Sequence, residues 1–481
     1  MEIHLKDKRR YIYIAGVTML IQFLFFKYLY PFPNFMQDSY NYLRSAYTNA
    51  DANLWPVGYA KLIRFVGFIS HSDTLLVFTQ YFLYHCSALY FFFTILELTD
   101  SSRWVKAAIF AFLFLNPAIL YLSNYITSDV YFIGISLIWI SQLFKLICRP
   151  RVFLLVTHVL ILVLAFTVRY HALMYPVISI TVVVFCGVSL RAKLATIAAI
   201  VILISGFVLY TTRQTEKVMG TRQFSAFSGW QMASNAVYAY AHMRERPVIK
   251  DIPEEFTDVH KRVTIYLDSM QHIPMAFRPD KPLMAFYLWD TGSPLQPAAN
   301  AKNIADNKVH LEKMAAVSPL YNRYGKYLIN QYPLEYARYY LLPNMFQYAN
   351  PPAENMSVYN DGADTVWPIA QIWFGYRTDK VYTRSDAREM QIFEYYPAFM
   401  VFIILLFTGV WIGYLLIGGR KYTAPPFRNA FRITTFYWIV HFGFSVLASP
   451  VVLRYQLFNM ILGVTFSVLL VDMYLRRARY S

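Results

Sequence analysis

An all-α polytopic membrane protein of about ten transmembrane helices, with a mostly helical extracytoplasmic domain inserted before the last three, is the fold class this sequence predicts. Three observations carry that expectation. Hydrophobic residues make up 57% of the 481 positions and charged ones only 15%, too apolar and charge-poor for a chain surrounded by water. The apolar residues come in runs close to the roughly 20 that a helix needs to cross a hydrocarbon core of about 30 Å. Basic residues collect in alternate connections between those runs, the pattern of loops retained in the cytoplasm.

Taken in order, the candidate spans are 11–30, 74–97, 104–122, 127–147, 152–168, 172–190 and 193–212, then 395–418, 432–449 and 453–475. The first run is read as a span rather than a cleaved leader, because no small-residue cleavage site follows it. Pro117 and Pro176 interrupt the third and sixth. The chain thus divides into an N-terminal membrane block, 1–212, with a large first outer loop, 31–73; an extracytoplasmic domain, 213–394; and closing helices, 395–481. Within the domain, 225–243 and 327–346 read as amphipathic helices, and 278–310 and 350–368 as ordered loops.

Orientation follows from the bases. Lys6, Lys8, Arg9, Arg10, Arg103, Lys106, Arg149, Arg151, Arg191, Lys193, Arg420, Lys421, Arg428, Arg432, Arg476, Arg477 and Arg479 all fall on one side. Both termini are therefore expected in the cytoplasm and the chain in the inner membrane, with 31–73 and 213–394 outside. The net charge of +16 does not point to nucleic acid: 213–394 holds 20 Lys and Arg against 19 Asp and Glu, so the excess is mostly the topology signal. Some of it remains for an anionic lipid headgroup. Cys86, Cys148 and Cys186 sit in or beside spans, with neither a disulfide framework nor zinc spacing.

The acids of the membrane part are few, and Asp38, Asp51, Asp73 and Asp129 are the outward ones. Asp38 opens a tyrosine-rich run, Ser39 to Tyr47, suited to the membrane interface, where its carboxylate reads either as a functional group or as a helix N-cap. Asp129, at the outer mouth of the fourth span, reads equally as a functional acid or, with Ser128, as a cap. Outer-face bases run against the orientation rule and need a reason. Arg169, in a tight turn between spans, and Arg454, at the mouth of the last, suit bidentate phosphate contact or interfacial snorkelling; Arg44, Lys61, Arg64 and Lys27 stand behind them. Tyr42, Trp55, Tyr59 and Tyr455 belong to an aromatic belt or to a sugar-stacking surface. The intramembrane His158 and His441 read as hydrogen-bonded core residues.

In order and side, these features resemble the GT-C class of membrane glycosyltransferases, which take sugars from polyprenyl-phosphate carriers, such as the protein O-mannosyltransferase and aminoarabinose transferase groups. The resemblance rests on Asp38-Ser39-x-x-Tyr42 in the first outer loop, Trp55-Pro56-Val57-Gly58-Tyr59 further along it, Thr127-Ser128-Asp129-Val130-Tyr131-Phe132, Arg169, and Arg454-Tyr455. It implies that Asp38 is the catalytic carboxylate, that Arg169 and Arg454 hold the donor phosphate, and that Asp129, Tyr42, Trp55, Tyr59, Tyr455 and Arg44 line the substrate site. The partners implied are the polyprenyl-phosphate lipid, the bilayer and an extracytoplasmic acceptor. The protein-mannosylating group carries an adjacent Asp-Glu pair; here Gln37 and Ser39 flank Asp38, and the acceptor stays open as protein, lipid or glycan. Chemically, such a transfer needs a base for the acceptor proton and cations for the departing phosphate. No metal is required by these residues, although a divalent ion is compatible with them. A single displacement inverts the anomeric carbon, by analogy with glycosidases. The rival readings are a transporter or flippase of lipid-linked saccharides and a polysaccharide polymerase or ligase.

Overall fold

The computed structural model describes residues 5–243, 246, 247, 249, 251–274, 277–280, 284–290, 292–296, 304–384 and 392–478; Arg479 and parts of the expected loop 278–310, namely 281–283, 291 and 297–303, lie outside them. The described residues are helical throughout, without a sheet. Two isolated bridges, Asn34 to Tyr125 and Thr365 to Lys380, are the extended pairings among them.

Among the described residues, eight helices are long and apolar enough to cross a membrane: Lys8–Leu29, Asp73–Leu98, Arg103–Ser123, Asp129–Cys148, Leu190–Met219, Phe393–Leu416, Pro425–Ala448 and Leu453–Ala478. The chain is thus a multi-pass helical membrane protein. Two predicted spans are shorter helices, Val152–Val168 and Tyr170–Phe185. The second starts as a 3-10 turn, Tyr170–Met174, and becomes α-helical only from Tyr175, with Pro176 in the first turn, where its missing N–H costs no hydrogen bond. Pro117 acts likewise, starting a new helix, Pro117–Ser123, behind Asn116, whose side chain accepts from the Ala118 N–H at 3.0 Å.

Two expected boundaries shift. The helix placed at 193–212 runs on to Met219, because Thr211 to Lys217 are mostly competent helix formers and nothing stops it before Gly220, left-handed at φ 74°. The run 327–346, expected as one helix, breaks at Tyr332: Pro333 cannot donate to the preceding turn, so a new helix begins there and passes through a π turn, Ala337–Leu341, into Leu342–Ala349.

Charges separate to the two ends of the bundle. At one end Lys8 and Lys145 meet Glu97, at 3.3 and 3.9 Å, and Arg476 meets Asp472 at 3.0 Å. Asp38, Asp129, Arg169 and Arg454 gather at the other. The middle is packed by buried aromatics such as Trp139, which stacks on Tyr175 at 3.9 Å. His158 bonds Ser179 at 3.0 Å and His441 bonds Asn459 at 2.9 Å, both histidines buried.

The inserted domain has its own core around Ala226–Ala241 and Ile304–Gln331. The two backbones touch: a Cβ on Gly229 would lie 2.0 Å from the Ser318 carbonyl oxygen, and one on Gly325 2.7 Å from that of Met232. The loop 350–368 ties this region to the membrane block. Asn360 N–H donates to Asn34 Oδ1 of the loop after the first span at 2.9 Å, and Leu453 N–H, at the head of the last helix, donates to the Pro352 carbonyl at 2.9 Å.

Candidate functional site

The loop after the first span is held as an extended strand-like segment before it turns helical. Asn34 exchanges backbone bonds with Asn124 and Ile126, 2.8 and 3.1 Å, and the helix Gln37–Tyr47 starts three residues later. Its N-cap position is Met36, and the orphan Met36 N–H is satisfied by Ser39 Oγ at 3.1 Å. Ser39 therefore does the capping that the sequence left open for Asp38. The Asp38 carboxylate turns away from the helix end and toward Arg454 Nη1, at 3.3 Å.

Asp129 is the first residue of its helix and is 2% exposed. Ser128 occupies the N-cap position without a side-chain capping bond, and the Asp129 carboxylate forms an ion pair with the Arg169 guanidinium instead. Arg169 reaches it because the chain leaves the helix Val152–Val168 in an extended conformation, φ −149° and ψ 144°, before the next turn. Arg454 stands beside this pair, 3.8 Å from Asp129 Oδ2. Between the guanidinium groups lies the Tyr455 ring, 4.9 Å from Arg169 and 5.0 Å from Arg454, an arrangement that offsets part of their mutual repulsion.

The two arginines differ in how firmly they are held. Arg169 is committed to Asp129. Arg454 shares three carboxylates, Asp38 at 3.3 Å, Asp129 at 3.8 Å and Glu354 at 3.9 Å, and its Nε is buried without a hydrogen-bond partner among the described residues. A buried donor left without an acceptor is costly, and an incoming anion would relieve it.

All of this faces one cavity of about 720 Å³ between the end of the bundle and the inserted domain. Asp38, Tyr42, Trp55, Asp129, Arg169, Arg454 and Tyr455 line it together. Two sequence candidates do not. Tyr59 is fully buried behind the wall, donating to Gln80 at 2.9 Å and packing edge-on against Tyr42. Arg44 lies 9% exposed with its guanidinium 5.2 Å from the Trp367 ring. The reason is helical phase: on Gln37–Tyr47, Arg44 lies six residues past Asp38 and so on a different face. Gly58, beside Tyr59, is where the loop touches the arginine-bearing segment, since a Cβ there would lie 2.6 Å from the Thr167 carbonyl oxygen.

Tyr42 donates or accepts a 3.1 Å hydrogen bond with Ser128 Oγ. Burial pushes its phenol well above the ordinary tyrosine range, which excludes it as a base near neutrality. Three residues that sequence reasoning did not single out also line the cavity: Glu354, His171 and Trp289. Glu354 adopts a left-handed backbone, φ 51°, in the loop anchored to the last helix. Burial raises its carboxyl above the usual carboxylate range; Arg454 pulls the other way, and Asp38 and Asp129 push it further up. Its only legible signal was Pro351 and Pro352 just ahead of it, marking a constrained turn. Among the described residues no group of three or more His, Cys, Asp or Glu has the arrangement of a metal site.

Comparison of this chain with family models, with curated proteins and with solved structures finds no match.

Proposed function

We propose that this cavity is the active site of a glycosyltransferase that moves a sugar from a polyprenyl-phosphate carrier to an acceptor on the outer side of the membrane. One observation carries the reading: a carboxylate free of any capping duty, Asp38, stands 3.3 Å from a buried guanidinium shared among three carboxylates, Arg454, on the wall of one large cavity at an end of the bundle. In the reaction the acceptor hydroxyl attacks the anomeric carbon and passes its proton to Asp38. The bond from that carbon to the phosphate oxygen breaks, and the electron pair leaves with the phosphate, whose charge Arg454 neutralises with Arg169 behind it. Transfer in one displacement inverts the anomeric centre.

A flippase needs a polar route across the bilayer. Below the cluster the bundle is filled by Trp139, Tyr175 and Tyr437, all buried, which favours chemistry at the surface over passage through it.

Arg454→Ala is expected to weaken binding of a purified polyprenyl phosphate about 10- to 100-fold, the loss of a charged hydrogen bond or two. Stability should fall as well, because Asp38 and Glu354 lose their ion-pair partner while Asp129 keeps Arg169, so affinity is compared on chain that a melting curve shows to be folded. Titration of the carrier lipid against the chain in nanodiscs measures it, and unchanged affinity would remove Arg454 from the phosphate site.

Glu354 gives a pH signature. A carboxyl whose folded-state affinity for protons is raised binds more protons folded than unfolded, so its contribution to stability is greatest at low pH and is lost as pH rises through the raised pKa. The advantage in melting temperature of Glu354→Gln over the parent should therefore grow between about pH 4.5 and pH 7.5, the side above an ordinary Glu pKa of about 4.3. Parallel melting curves for the two chains would place Glu354 outside this linkage.

A further inference from the structure

The cavity is larger than a sugar phosphate needs, and its two halves differ in chemistry. The acids Asp38, Asp129 and Glu354 sit with the arginine pair at the floor. The opposite wall, contributed by the inserted domain, carries Arg222, Arg323 and Lys326 and no acid among the described lining residues. Arg323 is matched by Glu255 at 2.8 Å, whereas no ion pair is formed by Arg222 or Lys326 among the described residues. Both are exposed.

Between the halves lies a cluster of aromatic rings, Trp289, Phe227 and Trp55, whose centroids stand 5.5, 6.2 and 6.3 Å apart pairwise. Trp289 stacks on Phe227 at 5.5 Å and 28°, and on Trp55 at 6.3 Å and 8°; Trp55 stands 6.3 Å from Tyr42, whose hydroxyl bonds Ser128 next to Asp129. Trp289 keeps 38% of its surface exposed, so ring area remains for a ligand. The segment that presents it is fixed by buried polar contacts. Tyr287 donates to Asp280 Oδ2 at 2.7 Å, Arg278 donates to both oxygens of that carboxylate, and Gln296 donates to the Leu288 carbonyl at 2.6 Å. Asn322 Oδ1, on the same wall, is a buried acceptor without a donor among the described residues.

Flat aromatic faces with scattered hydrogen-bonding groups suit the apolar faces and hydroxyls of sugar rings, and unmatched cations beside them suit a negative charge. We propose that the outer half of the cavity binds the acceptor, and that this acceptor is a carbohydrate bearing negative charge, a ring of it against the exposed face of the Trp289, Phe227 and Trp55 cluster and its anionic group on Arg222 and Lys326. Asp38 lines the same cavity as these rings. The assignment of this ligand as acceptor rests on the transfer reading above; the binding itself does not.

The test is equilibrium binding of trigalacturonate, maltotriose and an acidic decapeptide to the full chain in nanodiscs by calorimetry. Trigalacturonate is expected to bind at least about tenfold more tightly than maltotriose, with a preference that shrinks as salt is raised. Arg222→Gln combined with Lys326→Gln should abolish the preference, and Trp289→Ala should weaken both sugars about tenfold. Equal binding of the two sugars, binding of neither, or decapeptide binding as tight as trigalacturonate would each overturn the proposal. Asp38→Asn separates the two readings: full transfer by that variant removes the glycosyltransferase mechanism, while an intact trigalacturonate preference in it leaves the subsite standing.

Discussion

Asp38→Asn is expected to lower sugar transfer by about 10²- to 10⁴-fold, the range over which a positioned general base acts, while the chain inserts and folds as before. The separation of the two effects comes from the structure of the loop. Ser39 satisfies the helix end, so Asn at 38 removes no cap, and loss of a cap would have cost about 1 kcal/mol without touching chemistry. Asn keeps an oxygen for Arg454, which also retains Asp129 and Glu354 as neighbours. What Asn cannot do is accept the acceptor's proton. Single-turnover transfer from a synthetic polyprenyl phosphosugar, measured beside a melting curve, distinguishes the roles. Transfer at the parental rate would end the assignment of Asp38 as base, and a large drop in melting temperature with proportionate loss of activity would make the residue structural.

How much of this was legible depended on the kind of signal each residue leaves. The membrane runs were readable because burial in lipid imposes apolar length, and every predicted run is helical. Arg169 and Arg454 stood out because they fall in the connections opposite the basic ones, and Asp38 and Asp129 because acids are scarce in the membrane part. Glu354 had no such contrast. It is one acid among many in a charged segment, and its place beside Arg454 is created by tertiary bonds, Pro352 to Leu453 and Asn360 to Asn34, that join parts of the chain far apart in sequence. Helical phase explains the opposite error at Arg44: the loop's chemistry was visible, but not which face of Gln37–Tyr47 meets the cavity. Trp289 shows the same limit from the domain side, since its approach to Trp55 depends on how the inserted helices sit on the bundle.

Asp129→Ala is expected to destabilise the fold by about 3–5 kcal/mol, the cost of leaving one partner of a buried ion pair without the other. Arg169 has no second carboxylate within ion-pair distance among the described residues, and the Tyr455 face, worth about 0.5–2 kcal/mol, cannot replace one. The same variant would also depress transfer, which by itself would say nothing about mechanism. Replacing both charges resolves the matter, because an apolar pair of similar volume avoids desolvating either ion: Asp129→Leu with Arg169→Met should recover most of the lost stability. If the double variant melts near the parent and still binds the carrier phosphate weakly, Arg169 acts on the donor and Asp129 serves to hold it there. If it melts near the parent and binds normally, the pair is only a structural joint between Asp129–Cys148 and the turn after Val168. Parental stability in the single Asp129→Ala variant would contradict the buried pair itself, and with it the firm seating of Arg169 beside an Arg454 that is shared among three carboxylates.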